Sequence, residues 1–207
     1  IEELRTRALA LWNLHHLDTV LPTSILASSL WLNEDVNFVP STMETLANTY
    51  YASSYQGEMG SEEFNRALQT WLDQQTGGLL KEQVQELSMD AETILTIATT
   101  VYFQAKWKTE FQKDQTSEDT FHAIDGDITC DFMHSSQTGT YYWGERFGAV
   151  TKRLENDGGT MWFLLPDEGV SVEELLNDSE AMESLLANGE WENQKDLIVN
   201  LSLPKFD

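Results

Sequence analysis

The stretch ILTIATTVYFQAKWKTEF, Ile94–Phe111, decides how the chain is read. Leu95, Ile97, Thr99, Val101, Phe103, Ala105 and Trp107 alternate onto one face. Ile94, Thr96, Ala98, Thr100 and Tyr102 take the other. A period of two, many β-branched side chains and no Gly or Pro predict a long strand, central in an intact fold. The first face is almost continuous hydrophobe and is expected to meet the core. The second is small in its middle, at Thr96, Ala98 and Thr100, which lets another element lie close above. Three of the 12 basic residues, Lys106, Lys108 and Lys113, stand in or just after the stretch, among Tyr102, Phe103, Trp107 and Phe111. Lysines interleaved with aromatics suit a nucleic-acid platform. They also suit the end of a buried strand.

Charge separates the two readings. The 207 residues carry 35 Asp+Glu against 12 Lys+Arg, a formal net charge of -23. Such a field repels nucleic acid and anionic lipid, because phosphate binding depends on cations displacing counterions. No apolar run reaches the length of a membrane-spanning helix. Neither nucleic acid nor a membrane is an expected partner, and solubility accounts for the acidity. Cys130 is the sole cysteine, so no internal disulfide forms. That fits a cytosolic protein and a disulfide-free exported one equally. The chain opens on Ile1 with no signal peptide and closes on the strand-like DLIVNLSLPKFD. The expectation is a single domain over residues 1–207, an incomplete core truncated at both ends.

The flanking segments supply helices and more strands. Residues 2–13 read as a helix. SILASSLWLN (24–33) is apolar on both faces, as in a strand covered on both sides. PSTMETLANTYYAS reads as a helix with Ser41 and Glu44 in a capping box and a stripe of Met43, Leu46, Ala47, Tyr50 and Tyr51. After the polar SSYQGEMG, Ser61 caps another helix whose stripe is Phe64, Leu68, Trp71, Leu72 and Gln75. Thr76-Gly77-Gly78 ends it. DTFHA, DITCDFMHS, TGTYYWGE, FGAVTKRLEN and GTMWFLLP read as shorter strands, the last two joined by a hairpin through Asp157-Gly158. SVEELLN and SEAMESLLANGE read as helices capped by Ser171 and Ser179. The elements do not alternate regularly, so an α+β fold with several sheets is predicted.

Five blocks in order resemble the serpins, the serine protease inhibitor superfamily. LQTWLDQQTGGLL resembles the helix that lies across their main sheet. ILTIATTVYFQAKWKTEF is similar to the long third strand of that sheet. TSEDTFHA with CDFMHS resembles the next strand pair, RLENDGGTMWFLLPDEG the hairpin ending in Leu-Pro, and NLSLPKFD the start of a later strand. Thr99 stands where the family usually has Asn, in the shutter where the main sheet parts. Ala105 replaces a usual Gly. Threonine keeps a hydroxyl but lacks the amide's reach and extra donors, which puts the usual shutter hydrogen bonding in doubt.

The resemblance implies a multi-sheet fold with a large mixed central sheet crossed by a helix. It implies an inhibitor and not an enzyme, so no residue here is catalytic. A reactive loop would act as a suicide substrate, its cleaved form inserting beside the third strand. That loop and its scissile bond are expected C-terminal to Asp207. Thr99 at the shutter and Trp107 at the breach, the top of the main sheet, are the implied conformational residues. The implied partner is a serine protease, with cysteine proteases as secondary targets. The protein is expected to be monomeric and secreted, and to need no cofactor. The net charge and the lack of a basic patch in the sequence argue against a heparin-type one. A non-inhibitory serpin, acting as a binding, carrier or chaperone protein, is the alternative.

Other chemistry is weakly signalled. His15 and His16 are adjacent and point apart, which disfavours a shared metal. His122, His134 and Cys130 lie on neighbouring strand candidates, but Cys130 and His134 would need a tight bend to converge, so no metal site is expected. There is no Gly-x-Ser-x-Gly elbow, phosphate loop or dinucleotide fingerprint. A carbohydrate-active enzyme, with paired carboxylates and stacking tryptophans, is a distant third reading.

Overall fold

The computed structural model describes residues 2–205 apart from 124, 157 and 187–190. The chain divides into two compact units, residues 1–105 and 106–207. The first holds helices α1 (Glu2–His15), α2 (Pro40–Tyr50) and α3 (Glu62–Gln75) and strands β1 (Thr23–Asn33), β2 (Ala52–Gly57) and β3 (Leu95–Gln104). The sheet order is β2-β1-β3. β1 runs parallel to β2 and antiparallel to β3, in register from Thr23 opposite Gln104 to Leu32 opposite Leu95. The sheet is therefore mixed, and α3 packs on β1 and β3.

β1 is buried on both faces where its side chains are largest, as its sequence predicts. Trp31, 1% exposed, faces α3 in a cluster with Met59, Phe64, Leu68, Trp71 and Met89. Leu30 and Leu32 point the other way, onto Ala52, Met43 and Leu46. Burying each such side chain is worth about 1.5–3 kcal/mol, so the Trp31 and Leu30/Leu32 layers fix the strand between α3 and α2. The Ser61 hydroxyl accepts from the Phe64 N–H at 3.2 Å and starts α3. Thr76, Gly77 and Gly78 end it, both glycines at positive φ.

Three expectations are corrected here. α2 has no capping box: Val39 is its N-cap, without a side-chain hydrogen bond, and Pro40 opens the first turn. Proline's fixed φ and missing N–H suit that position without help from Ser41. Tyr51 leaves the stripe, sitting past the helix in a left-handed conformation. The segment ASSYQG, read as the end of that helix and the start of the polar SSYQGEMG, is strand β2.

The second unit contains β4 (Thr116–Ala123), β5 (Gly126–Trp143), β6 (Phe147–Arg153), β7 (Thr160–Pro166), α4 (Val172–Leu176), α5 (Ser179–Leu186) and β8 (Gln194–Pro204). The sheet runs β4-β5-β6-β7, with β8 on β5, all antiparallel. DITCDFMHS and TGTYYWGE, expected as two strands, are the single long β5. β8 pairs with it from Phe132 to Tyr142, across the Ser136-Gln137 that separates the two expected strands. The β6–β7 hairpin forms as expected. Asp157 in its turn lies outside the described residues, and Asn156 and Gly159 beside it take positive φ.

The core of this unit is Phe147, Ala149, Leu175, Ala181 and Trp191, with Tyr142, Trp162 and Leu164 against it. Ser171 caps α4 in a full capping box with Glu174. Those hydrogen bonds, with Arg146 nearby, hold the Glu174 carboxyl below its ordinary value. Ser179 lies inside α5, where the Asp178 carboxylate accepts from the Ala181 N–H at 3.3 Å. The described residues hold no helix long and apolar enough to cross a membrane.

Candidate functional site

β3 is the element on which the functional reading turns, and the structure inverts its faces. Thr96, Ala98, Thr100 and Tyr102 are the covered side, beneath α3. Ala98 packs on the Trp31 cluster. At the end of α3, a Cβ on Gly77 would lie 2.7 Å from the Tyr102 ring. The small-residue face does let an element lie close above, as the sequence suggests. The apolar face, expected in the core, is open among the described residues: Ile97 is 64% and Val101 75% exposed. The cause is where α2 sits. Its side chains reach Leu30 and Leu32 of β1, but the same face of β3 receives no such cover.

β3 is also an edge strand. Its partner is β1, and its far edge carries no strand among the described residues. The β1–β3 seam is held by more than its ladder. Ser29 is fully buried. Its hydroxyl lies 3.4 Å from the Ala98 carbonyl and accepts from the Trp31 indole N–H at 2.9 Å. Thr99 stands opposite Ser28 on the open face and is exposed.

Trp107 does not continue β3, which stops at Gln104. The segment beyond pairs with the end of β6. Trp107 bridges Leu154, the Lys108 N–H donates to the Arg153 carbonyl at 2.9 Å, and the Lys106 carbonyl accepts from Glu155 at 2.8 Å. The opening stretch thus divides between the two units. Thr99 and Trp107, named together from the sequence, belong to different ones.

Around Trp107 the aromatics and lysines take a definite arrangement. Its ring centroid lies 6.1 Å from those of Phe111 and Phe163. The Lys152 ammonium sits 4.4 Å from the Phe111 centroid and 5.8 Å from that of Trp107. Lys152 is 2% exposed, and its Nζ has no hydrogen-bond partner among the described residues. Burial pushes its pKa down. Ring faces attract the cation, which partly offsets the loss of water. No sequence signal points to this contact, since Lys152 is distant along the chain from Trp107 and Phe111.

Among the described residues no group of three or more His, Cys, Asp and Glu side chains is placed to hold a metal ion, and the histidines lie apart. His16 stacks on Trp12 at 4.0 Å, and its Nδ1 accepts from the Leu26 N–H at 3.3 Å. His15 ends α1. His122 pairs with Asp127 at one end of the β4–β5 hairpin. His134 lies at the other, its Nε2 3.1 Å from Ser117 Oγ and its Nδ1 2.9 Å from Ser202 Oγ. Cys130 is opposite Asp119 on the extended β5, so it does not converge on His134.

The family model described as serpin (serine protease inhibitor) matches residues 10–207. The chain belongs to the serpin family. Serpin-ZX of Arabidopsis thaliana is 30% identical over 163 residues, 75% of this chain and 42% of that protein. The human leukocyte elastase inhibitor is 28% identical over 189 residues, 87% of this chain and 50% of the relative. The solved structure of a thermophilic serpin, tengpin, in its native state superimposes with a TM-score of 0.83 at 22% identity, over 99% of this chain and 51% of that one. The chain spans about half the length of the curated serpins it matches. The serpin fold, α+β with several sheets, is thus established for it.

Proposed function

We propose that this serpin, as a complete protein, is a suicide inhibitor of serine proteases. The protease serine attacks a reactive loop and the acyl-enzyme forms. The cleaved loop then joins the sheet beside β3 before the ester is hydrolysed. The observation that carries the reading is the state of β3. Among the described residues it lies at a sheet edge, with small side chains under α3 and a row of backbone groups without a strand partner. An edge of that kind accepts an extended segment by backbone pairing, and small side chains lower the steric cost of movement beneath the helix.

On this reading the protein is a protease substrate that traps its enzyme. It is itself no catalyst, acts as a monomer, and is secreted. Residues 1–207 belong to one folding domain, a view supported by a family match that runs across the boundary between the two units. Thr99 influences how the sheet parts, and Trp107 influences entry of the loop at its top.

The test is thermal unfolding of the complete protein before and after cleavage in the reactive loop. Insertion adds a strand, so the cleaved form should melt at a clearly higher temperature. An unchanged midpoint would favour the alternative, a binding, carrier or chaperone serpin that keeps the fold without inserting.

A further inference from the structure

β5 and β6 pair over three residues only, from Tyr141 opposite Val150 to Trp143 opposite Gly148. Beyond Val150 they part, and the edge of β6 is taken over by the 107–108 segment. The fork between them encloses a cavity of about 350 Å³, at the small end of the roughly 300–1,000 Å³ typical of ligand sites. Within the fork, Gln137–Thr140 keep a ladder partner on the β8 side alone. Backbone N–H groups on the other edge therefore need a partner.

The walls are unusual for this chain. Lys108, Lys152 and Arg153 all line the cavity, with Thr109, Thr138 and Thr151 supplying hydroxyls, and no acid among the described residues lines it. In a protein with almost three acids per base, three bases and no acid at one cavity is a strong local inversion of charge. None of the three cations forms an ion pair among the described residues. Lys152 is nine-tenths buried or more, and its ammonium lacks a hydrogen-bond partner. A buried unpaired cation is costly, and a nearby anion lowers that cost. Thr140 also lines the cavity, but its hydroxyl is committed to Asp196 at 2.7 Å.

We propose that the fork between β5 and β6 is an oxyanion site, holding one phosphate or sulfate group between Lys108 and Arg153, beside the buried Lys152. Arginine and lysine give charge-assisted bonds to such oxygens, and hydroxyl and backbone N–H groups complete the shell. The lining is mostly polar and the volume small, which suits a compact tetrahedral ion or the end of an ester better than an apolar ligand. The site is independent of the inhibitory reading, and neither stands or falls with the other.

The test is calorimetric titration of the complete protein, at fixed ionic strength, with inorganic phosphate, with sulfate and with O-phosphoserine. Saturable one-to-one binding is expected for at least one of them. Lys108→Gln and Arg153→Gln should each weaken it at least about tenfold, and Lys205→Gln, at the far end of β5, should leave it unchanged. Should Arg153→Gln not fold, the exposed Lys108→Gln decides alone. Tighter binding of phosphoserine than of phosphate would identify an ester as the source, and the reverse a free ion. Absence of saturable binding of all three probes, or binding equally tight in Lys108→Gln, would overturn the proposal.

Discussion

Gly77 meets the ring of Tyr102 so closely that a Cβ on it would stand 2.7 Å from the ring carbon bearing the hydroxyl. This contact lays the end of α3 on β3, and a Cβ at position 77 fits only if the tip of the Tyr102 ring gives way. Gly77 also has φ of +61°, a conformation that costs other residues about 1–2 kcal/mol.

Gly77→Ala should therefore destabilise the complete protein by more than that backbone cost. Gly78→Ala is the control, because φ is +81° there too, but the nearest atom to an added Cβ is Asp73 Oδ1 at 4.0 Å. Denaturant unfolding should rank Gly77→Ala below Gly78→Ala. Adding Tyr102→Ala should narrow the gap between them. Equal effects of the two glycine substitutions would show that the contact carries no energy.

Lys152 offers a test by pH. Burial lowers its pKa from the ordinary 10.5, so the folded protein releases this proton more readily than the unfolded chain. The unfolded state then binds more protons between the two values, and stability from this group rises as pH climbs through the folded value. Lys152→Met should remove that alkaline gain. In phosphate- and sulfate-free neutral buffer it should also raise the melting midpoint, because an unpaired buried charge is replaced by an apolar side chain of similar length. A lower midpoint would mean that the contacts with Phe111 and Trp107 outweigh the desolvation.

The sequence disclosed some of this and concealed the rest for physical reasons. α3 is legible because its apolar period, its Ser61 cap and its glycine stop all agree. β2 is not, since ASSYQG has no hydrophobic alternation and forms by parallel pairing from Ser28–Ala52 to Asn33–Gly57. The alternation of β3 separates two faces, but cannot say which one another element covers. Here the less hydrophobic face lies under α3. Trp107 fits the same alternation by count, yet backbone pairing with Leu154 takes it elsewhere. The cationic cavity is not legible in the sequence because Lys108 and Arg153 are far apart in the chain, and only the pairing of the 106–108 segment with the end of β6 brings them to one place.

Trp107→Ala should alter conversion more than content. Its ring touches Phe111 and Phe163 beside a bridge to Leu154, so truncation loosens this corner while the sheet ladders persist. In the complete protein, circular dichroism should change little, while the rate of loop insertion or of spontaneous conversion to a latent form changes severalfold, an order-of-magnitude expectation for losing aromatic packing. Unchanged inhibition stoichiometry and unchanged latency would count against a role at the breach.

The central claim is that a cleaved loop joins the sheet beside β3 and traps an acyl-enzyme. It is tested most directly by mixing the complete protein with a panel of serine proteases and resolving the products on a denaturing gel. A covalent complex that survives denaturation is expected with at least one of them. Clean cleavage of the loop by every protease that attacks it, with no such complex, would contradict it.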